Sequence, residues 1–203
     1  MKRPSRTLIV SLLLVAACAP MPKNPDVVMG KIGSEEQSRA DAYFHYLKGS
    51  MLEQEGDLDG AAQEYEAAFR LDPSSAEVAY ALALLAMHRG RIDESQVYAR
   101  KALDLDPERV QTLMLLAGIA SGRKQFDDAI DYYKKTIALD PSYEEAYIYL
   151  GSLYAAMKRY DQAIEVFRAM EKKNPDSLMS LYYLGRIYTE RKMYPQAVTE
   201  YRR

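Results

Sequence analysis

At 203 residues, with 48% apolar and 28% charged side chains, the chain is long enough to bury a substantial core. A formal net charge of −2 gives no electrostatic footing for nucleic acid, which needs a basic stripe, and a single cysteine excludes an intramolecular disulfide. The two histidines, His45 and His88, have no ligand-spaced partner, and neither a phosphate-binding glycine loop nor a nucleophile elbow occurs, so no metal, cofactor or catalytic centre is expected.

The amino terminus reads as a secretory leader. Lys2, Arg3 and Arg6 precede an apolar run from Leu8 to Ala17, too short to span a bilayer and suited to a signal-peptide core. The run ends in Leu14-Val15-Ala16-Ala17-Cys18, which resembles the bacterial lipobox. That resemblance implies a signal peptide over 1–17 and a lipid on the sulfur of Cys18, holding the mature chain to a membrane. Ala17-Cys18-Ala19 also satisfies an A-x-A cleavage site, which would discard the cysteine. Ala19, rather than Asp, after the cysteine resembles outer-membrane sorting, and so implies a cell-envelope lipoprotein facing the periplasm. Losing Lys2, Arg3 and Arg6 leaves 24 basic against 29 acidic residues, a net of −5, which moves the mature chain further from a nucleic-acid binder.

Residues 18–33 contain Pro20, Pro22 and Pro25 with little helical periodicity and read as a tether. Ser34-Glu35-Glu36-Gln37 matches a capping box, which predicts a first helix from about Glu35 to Glu55 and opens a helical domain over 34–203.

From there one unit repeats. Pro73, Pro107, Pro141 and Pro175 stand 34 residues apart, and Asp59, Asp93, Asp127 and Asp161 keep the same period. A period of that length signals a solenoid or array. Each unit carries two apolar stripes at helical spacing, such as Tyr147, Leu150, Gly151 and Tyr154, then Ala163, Ile164 and Phe167. Asp161 reads as an N-cap of the second helix, and Pro175 as its stop. The acid pairs Asp127-Asp128 and Glu144-Glu145 fall in first turns, where the helix dipole accounts for them. No single hairpin can bury both its stripes, so neighbours must stack.

The fourth copy, Tyr147-x-x-Leu150-Gly151-x-x-Tyr154, then Ala163-x-x-x-Phe167 and Pro175, resembles the tetratricopeptide (TPR) signature, with Tyr147 where Trp is usual. Four full copies and one incomplete copy fit it, at 42–75, 76–109, 110–143, 144–177 and 178–203. The resemblance implies an all-α solenoid of antiparallel helix hairpins wound as a right-handed superhelix. It also implies that the first helix of each hairpin faces a concave groove. That face carries Tyr43 and Tyr46 in the first repeat, Tyr80, Leu84 and Met87 in the second, and Met114 in the third. Tyr149 follows in the fourth, and Tyr182, Tyr183 and Arg186 in the fifth.

An aromatic and methionine groove with sparse charge suits an apolar anchor on a partner helix or extended peptide. The acidic-peptide clamp of cytosolic co-chaperones is not expected, because Tyr46, Ser50, Ala81, Gln111 and Leu115 occupy its positions. The expected role is therefore a lipid-anchored, non-enzymatic scaffold or adaptor in a bacterial envelope assembly. Two alternatives stand beside it: a pilotin-like lipoprotein for pilus or secretin assembly, and a self-assembling structural module. Arg203 falls inside the second helix of the fifth repeat. Either a longer array follows, or the open edge at Ala197, Val198 and Tyr201 is covered by a partner or by a second copy in a homo-oligomer.

Overall fold

A computed structural model describes residues 25–203, with side chains described from residue 33. The expected signal peptide, the lipidation site Cys18 and the first part of the 18–33 tether lie outside the described residues. The chain divides into two units, Met1–Gln37 and Ser38–Arg203. In the first, the described part is the opening of helix α1. The second is a stack of helix hairpins, all-α among the described residues.

Helix α1 spans Pro25–Glu55. It ends at the expected residue but starts at Pro25 rather than near Glu35, so Ser34-Glu35-Glu36-Gln37 lies within the helix instead of capping it. Proline is well suited to open a helix, because the first helical N–H has no intrahelical partner to lose. The rest follow as α2 (Leu58–Leu71), α3 (Ala76–His88), α4 (Ile92–Leu105), α5 (Val110–Gly122), α6 (Phe126–Leu139), α7 (Glu144–Ala156), α8 (Tyr160–Lys173), α9 (Leu178–Glu190) and α10 (Tyr194–Arg202). Consecutive pairs form the five hairpins, each odd-numbered helix being the first of its repeat.

Inside each hairpin the turn is the same Schellman device. In the fourth repeat the Lys158 N–H reaches the Ala155 carbonyl and the Arg159 N–H reaches Tyr154, satisfying carbonyls that the helix end would orphan. The residue at the hinge is left-handed every time: Gly56 (φ 87°), Gly90 (72°), Lys124 (61°), Lys158 (58°) and Lys192 (59°). A Cβ in that region costs about 1–2 kcal/mol. Lys124→Gly and Lys158→Gly are each expected to raise stability by about 0.5–1 kcal/mol, the larger freedom of glycine in the unfolded chain offsetting part of the relief. Chemical denaturation should show this as a higher midpoint at unchanged slope.

Between hairpins the period-34 prolines act as expected. Each follows a C-cap residue, and the carboxylates of Asp72 and Asp140 accept from the backbone N–H of Ser74 and Ser142 at 3.1 and 2.9 Å. The period-34 aspartates act differently from expectation. The N-cap of α8 is Arg159, and Asp161 is the second residue of the helix. It opposes the dipole from there, while its carboxylate reaches forward to Arg191 of the next repeat at 2.5 Å. Arg89 meets Asp59 at 2.5 Å in the same way, and Arg123 meets Asp93. The third position of this series, between Arg123 and Arg191, holds Met157, so Asp127 has no such bridge.

The helices of a hairpin close on one contact. Where the second helix presents a ring, the first presents a residue with little or no side chain: Gly49 against Tyr65, Gly151 against Phe167, Gly185 against Tyr201. In the second repeat both positions are alanine, Ala83 and Ala99, each fully buried. Ala61, Ala129 and Ala163 occupy another close-contact slot, and Ser95 replaces them once, its buried hydroxyl donating to the Ala83 carbonyl at 2.8 Å. One apolar core runs through the third to fifth repeats, and a second lies in the first two. A small cluster of Ala83, Ala99 and Leu116 bridges them.

Ion pairs add pH dependence at the first hairpin. Glu64 accepts from Lys48 Nζ and from His45 Nδ1, each at 2.6 Å. The hydrogen bond from Lys48, then that from His45, holds its carboxyl below the ordinary value, with burial opposing. The folded state therefore binds this proton less readily than the unfolded chain. The stabilisation is full above the ordinary glutamate range and is lost as pH falls through the depressed native value. Glu64→Gln should flatten the acid limb of stability against pH, read by urea midpoints across the acidic range.

Candidate functional site

The groove positions lie on α1, α3, α5, α7 and α9, and the structure sorts all but Tyr182 into three hollows. The central one is an open hollow of about 490 Å³ over α3, α5 and α7. Tyr80, Leu84, Met87, Met114 and Tyr149 converge there, with Gln111, Leu115 and Gly118 between them. Tyr80, Leu84 and Met87 recur at helical spacing along one face of α3 beside Met114 and Leu115 of α5, and Gly118 leaves the space over α5 open. No formally charged side chain lines this hollow.

Two further tyrosines line it that the sequence does not mark as part of the groove face. Tyr133 of α6 occupies a core slot yet reaches the hollow, where it stacks on Tyr149 at 5.9 Å between centroids. Tyr143, the N-cap of α7, enters from the turn. Its signal was its place after the Asp140-Pro141 turn, which aims a side chain back over the preceding repeat. Burial, with Tyr149 adding, pushes the Tyr133 phenol up to about 12. Burial likewise raises Tyr80, against the pull of Arg109, and raises Tyr143. These hydroxyls therefore stay neutral and able to donate at any physiological pH.

Arg109 is the other residue missed. Its guanidinium lies 4.6 Å from the Tyr80 ring centroid and pairs with Glu77 at 2.6 Å. It fixes Tyr80 as a wall and leaves that ring half-buried.

Tyr43 and Tyr46 line a separate hollow with Ala42, Glu77 and Val78. Tyr46 stacks on Tyr43 at 6.4 Å and donates to Glu77 at 3.2 Å. Its own burial, then the Glu77 charge, raises its pKa. Tyr183 and Arg186 line the third hollow with Ser152, Phe167 and Glu190. Tyr183 stacks flat on Phe167 at 4.9 Å, and the Arg186 guanidinium stands 5.6 Å from the Tyr183 ring and 5.9 Å from Tyr182. Tyr182 borders none of the three hollows. Such surfaces hold an apolar or aromatic side chain by burial and orient it with phenol hydroxyls. Among the described residues there is no cluster fit to hold a metal ion and no helix long and apolar enough to cross a membrane.

A family profile described as tetratricopeptide repeat matches residues 52–119 and 120–182, more than half of the chain. The chain belongs to the tetratricopeptide-repeat family. Solved TPR structures agree in fold. A crystal structure of MamA protein superposes with a TM-score of 0.71 at 24% identity, over 80% of this chain and 88% of that one. YrrB, described as a TPR protein with an unusual peptide-binding site, gives 0.66 at 22% identity over 84% and 87%. PilF of Pseudomonas aeruginosa gives 0.66 at 22% identity over 82% and 75%. No curated protein sequence matches this TPR chain. A TPR solenoid of helix hairpins is a protein–protein interaction scaffold, and the hollows on its first helices are its candidate sites.

Proposed function

We propose that this TPR chain is an adaptor held at a bacterial envelope membrane, on the periplasmic face of the outer membrane, by a lipid on Cys18. The hollow over α3, α5 and α7 takes an apolar or aromatic anchor from a protein or peptide partner. The observation that carries this reading is the convergence of Leu84, Met87, Met114 and four tyrosine rings on one uncharged hollow. Its volume falls in the roughly 300–1,000 Å³ range of ligand pockets. Thioethers add a surface that adapts to irregular anchors. The peptide-binding site described for YrrB, on the same fold, lends support. The lipid anchor rests on Leu14-Val15-Ala16-Ala17-Cys18.

Photo-crosslinking in cells from Met114 and Tyr149, with Val97 on α4 as a control outside the hollow, tests the groove. Capture of one discrete protein from both positions, and not from Val97, is the expected result; equal capture from all three would overturn it. Cys18→Ser is expected to move the chain wholly from the membrane to the soluble fraction and to abolish incorporation of labelled palmitate. Retention in the membrane fraction would remove the anchor from the proposal.

A further inference from the structure

The hydrogen-bond inventory of the central hollow says what chemistry fills it. The buried tyrosines Tyr65 and Tyr147 donate their hydroxyls to Glu53 at 2.9 Å and to the Pro141 carbonyl at 3.1 Å. Tyr133 is only 4% exposed and lines the hollow, yet its hydroxyl makes no hydrogen bond to any described residue. The hydroxyls of Tyr80, Tyr143 and Tyr149, which line the hollow beside it, make none either. Four phenol donors and the Gln111 amide therefore border one space that has no carboxylate in its wall. Side-chain acceptors there are confined to the Gln111 amide oxygen and the phenol lone pairs.

Buried polar groups need partners, so a ligand that closes over this surface must bring acceptors and few donors. An α-helix spends its carbonyls on its own N–H groups and would leave the Tyr133 hydroxyl unpaired in a dry contact. An ordinary extended chain brings an N–H with every carbonyl. A proline has a free carbonyl and no N–H, and a polyproline II segment makes no internal hydrogen bonds. We propose that the partner of the central hollow is a proline-rich segment in polyproline II conformation. Its carbonyls accept from the tyrosine hydroxyls, and its pyrrolidine rings pack on the aromatic rings and on Leu84, Met87 and Met114. Such a segment is already extended when free, so little entropy is lost on docking.

The shape of the surface suits an extended ligand. Met87 and Gly118 are shared with an adjoining hollow of about 460 Å³, lined further by Ile92, Ile119, Gly122 and Arg123. A Cβ at Gly118 or Gly122 would meet nothing within 4 Å, so the strip joining the two hollows is open. A polyproline II chain running along it returns a residue to the floor about every third position.

This assignment rests on the central hollow being the partner site, and the test separates the two. Fluorescence anisotropy follows labelled decaproline, and in parallel a leucine-rich amphipathic helical peptide, on the whole chain carrying Cys18→Ser. Decaproline is expected to bind saturably and Met114→Glu to abolish it. Tyr133→Phe keeps the ring and removes a hydroxyl with no partner in the protein. It should weaken decaproline by roughly 3- to 10-fold at an unchanged urea midpoint. Tyr147→Phe, outside the hollow, should bind as wild type. Absence of decaproline binding, or binding that neither Tyr133→Phe nor Met114→Glu alters, would overturn the proline-rich assignment. If the helical peptide then binds and Met114→Glu removes it, the hollow stands as the partner site with a helical ligand. If neither peptide binds and crosslinking from Met114 and Tyr149 matches that from Val97, both readings fail.

Discussion

Replacing Phe167 by alanine is expected to cost about 3–5 kcal/mol, the range for emptying a fully buried aromatic site. The ring has no exposed surface, stacks under Tyr183, and closes directly on Gly151. The stronger test is the pair. A Cβ at Gly151 would meet the Phe167 ring far inside van der Waals contact. The Tyr183 ring, parallel to it within 4°, limits how far Phe167 can slide aside. Gly151→Ala alone should therefore destabilise by about 1–3 kcal/mol through overpacking. The double variant reproduces the Ala83–Ala99 arrangement of the second repeat, where both methyls are buried without strain. Its loss should fall short of the sum of the single losses by about 1–3 kcal/mol. Urea denaturation of the four proteins measures this, and strict additivity would show that the ring and the glycine are not a matched pair.

Met114→Glu is expected to abolish partner capture through the groove while leaving the fold intact. Met114 is only half-buried and stands in a hollow with no charged wall, so a carboxylate there finds no cation when a ligand closes over it. Burying it unpaired, together with losing the thioether contact, belongs with the larger interface effects, about 2–4 kcal/mol or roughly 30- to 1,000-fold in affinity. Tyr149→Ala should cost less, because the Tyr133 ring stacked on Tyr149 can occupy part of the vacated space. Val97→Glu, exposed on α4 outside the hollow, should bind as wild type. With a crosslinked partner in hand, titration calorimetry of these three variants ranks the effects. Equal affinity across them would exclude the central hollow as the binding site.

The architecture was legible because two kinds of punctuation repeat in register. Pro73, Pro107, Pro141 and Pro175 mark the ends of second helices, and Gly49, Gly151 and Gly185 mark close approach to a ring. Both are local demands that a single chain displays directly. The groove face was legible for the same reason, since helical spacing puts Tyr80, Leu84, Met87 and Met114 on one side. What escaped was long-range geometry. Nothing in the spacing shows that Arg109 lies over Tyr80, or that Tyr43 and Tyr46 fall in a different hollow from Tyr149. Asp161 looked like a cap because an acidic residue near a helix start usually is one. Its guanidinium partner lies 30 residues on, across a repeat boundary. The start of α1 was misplaced because a capping-box pattern is short enough to occur inside a helix.

The alanines at 83 and 99 also bear on how this array responds to load. In a linear stack each repeat is held only by its neighbours, so the joint with least buried apolar surface yields first. Here the larger cores of repeats one to two and three to five meet through only three fully buried side chains, Ala83, Ala99 and Leu116, with Tyr98, Leu103, Leu115 and Tyr132 partly buried against them. The α3 and α5 walls of the central hollow stand on opposite sides of that joint. Strain along the array is expected to open this joint first, spreading the walls of the central hollow. Under load the array is thus expected to loosen at its middle, at the hollow, and not to unravel from an end.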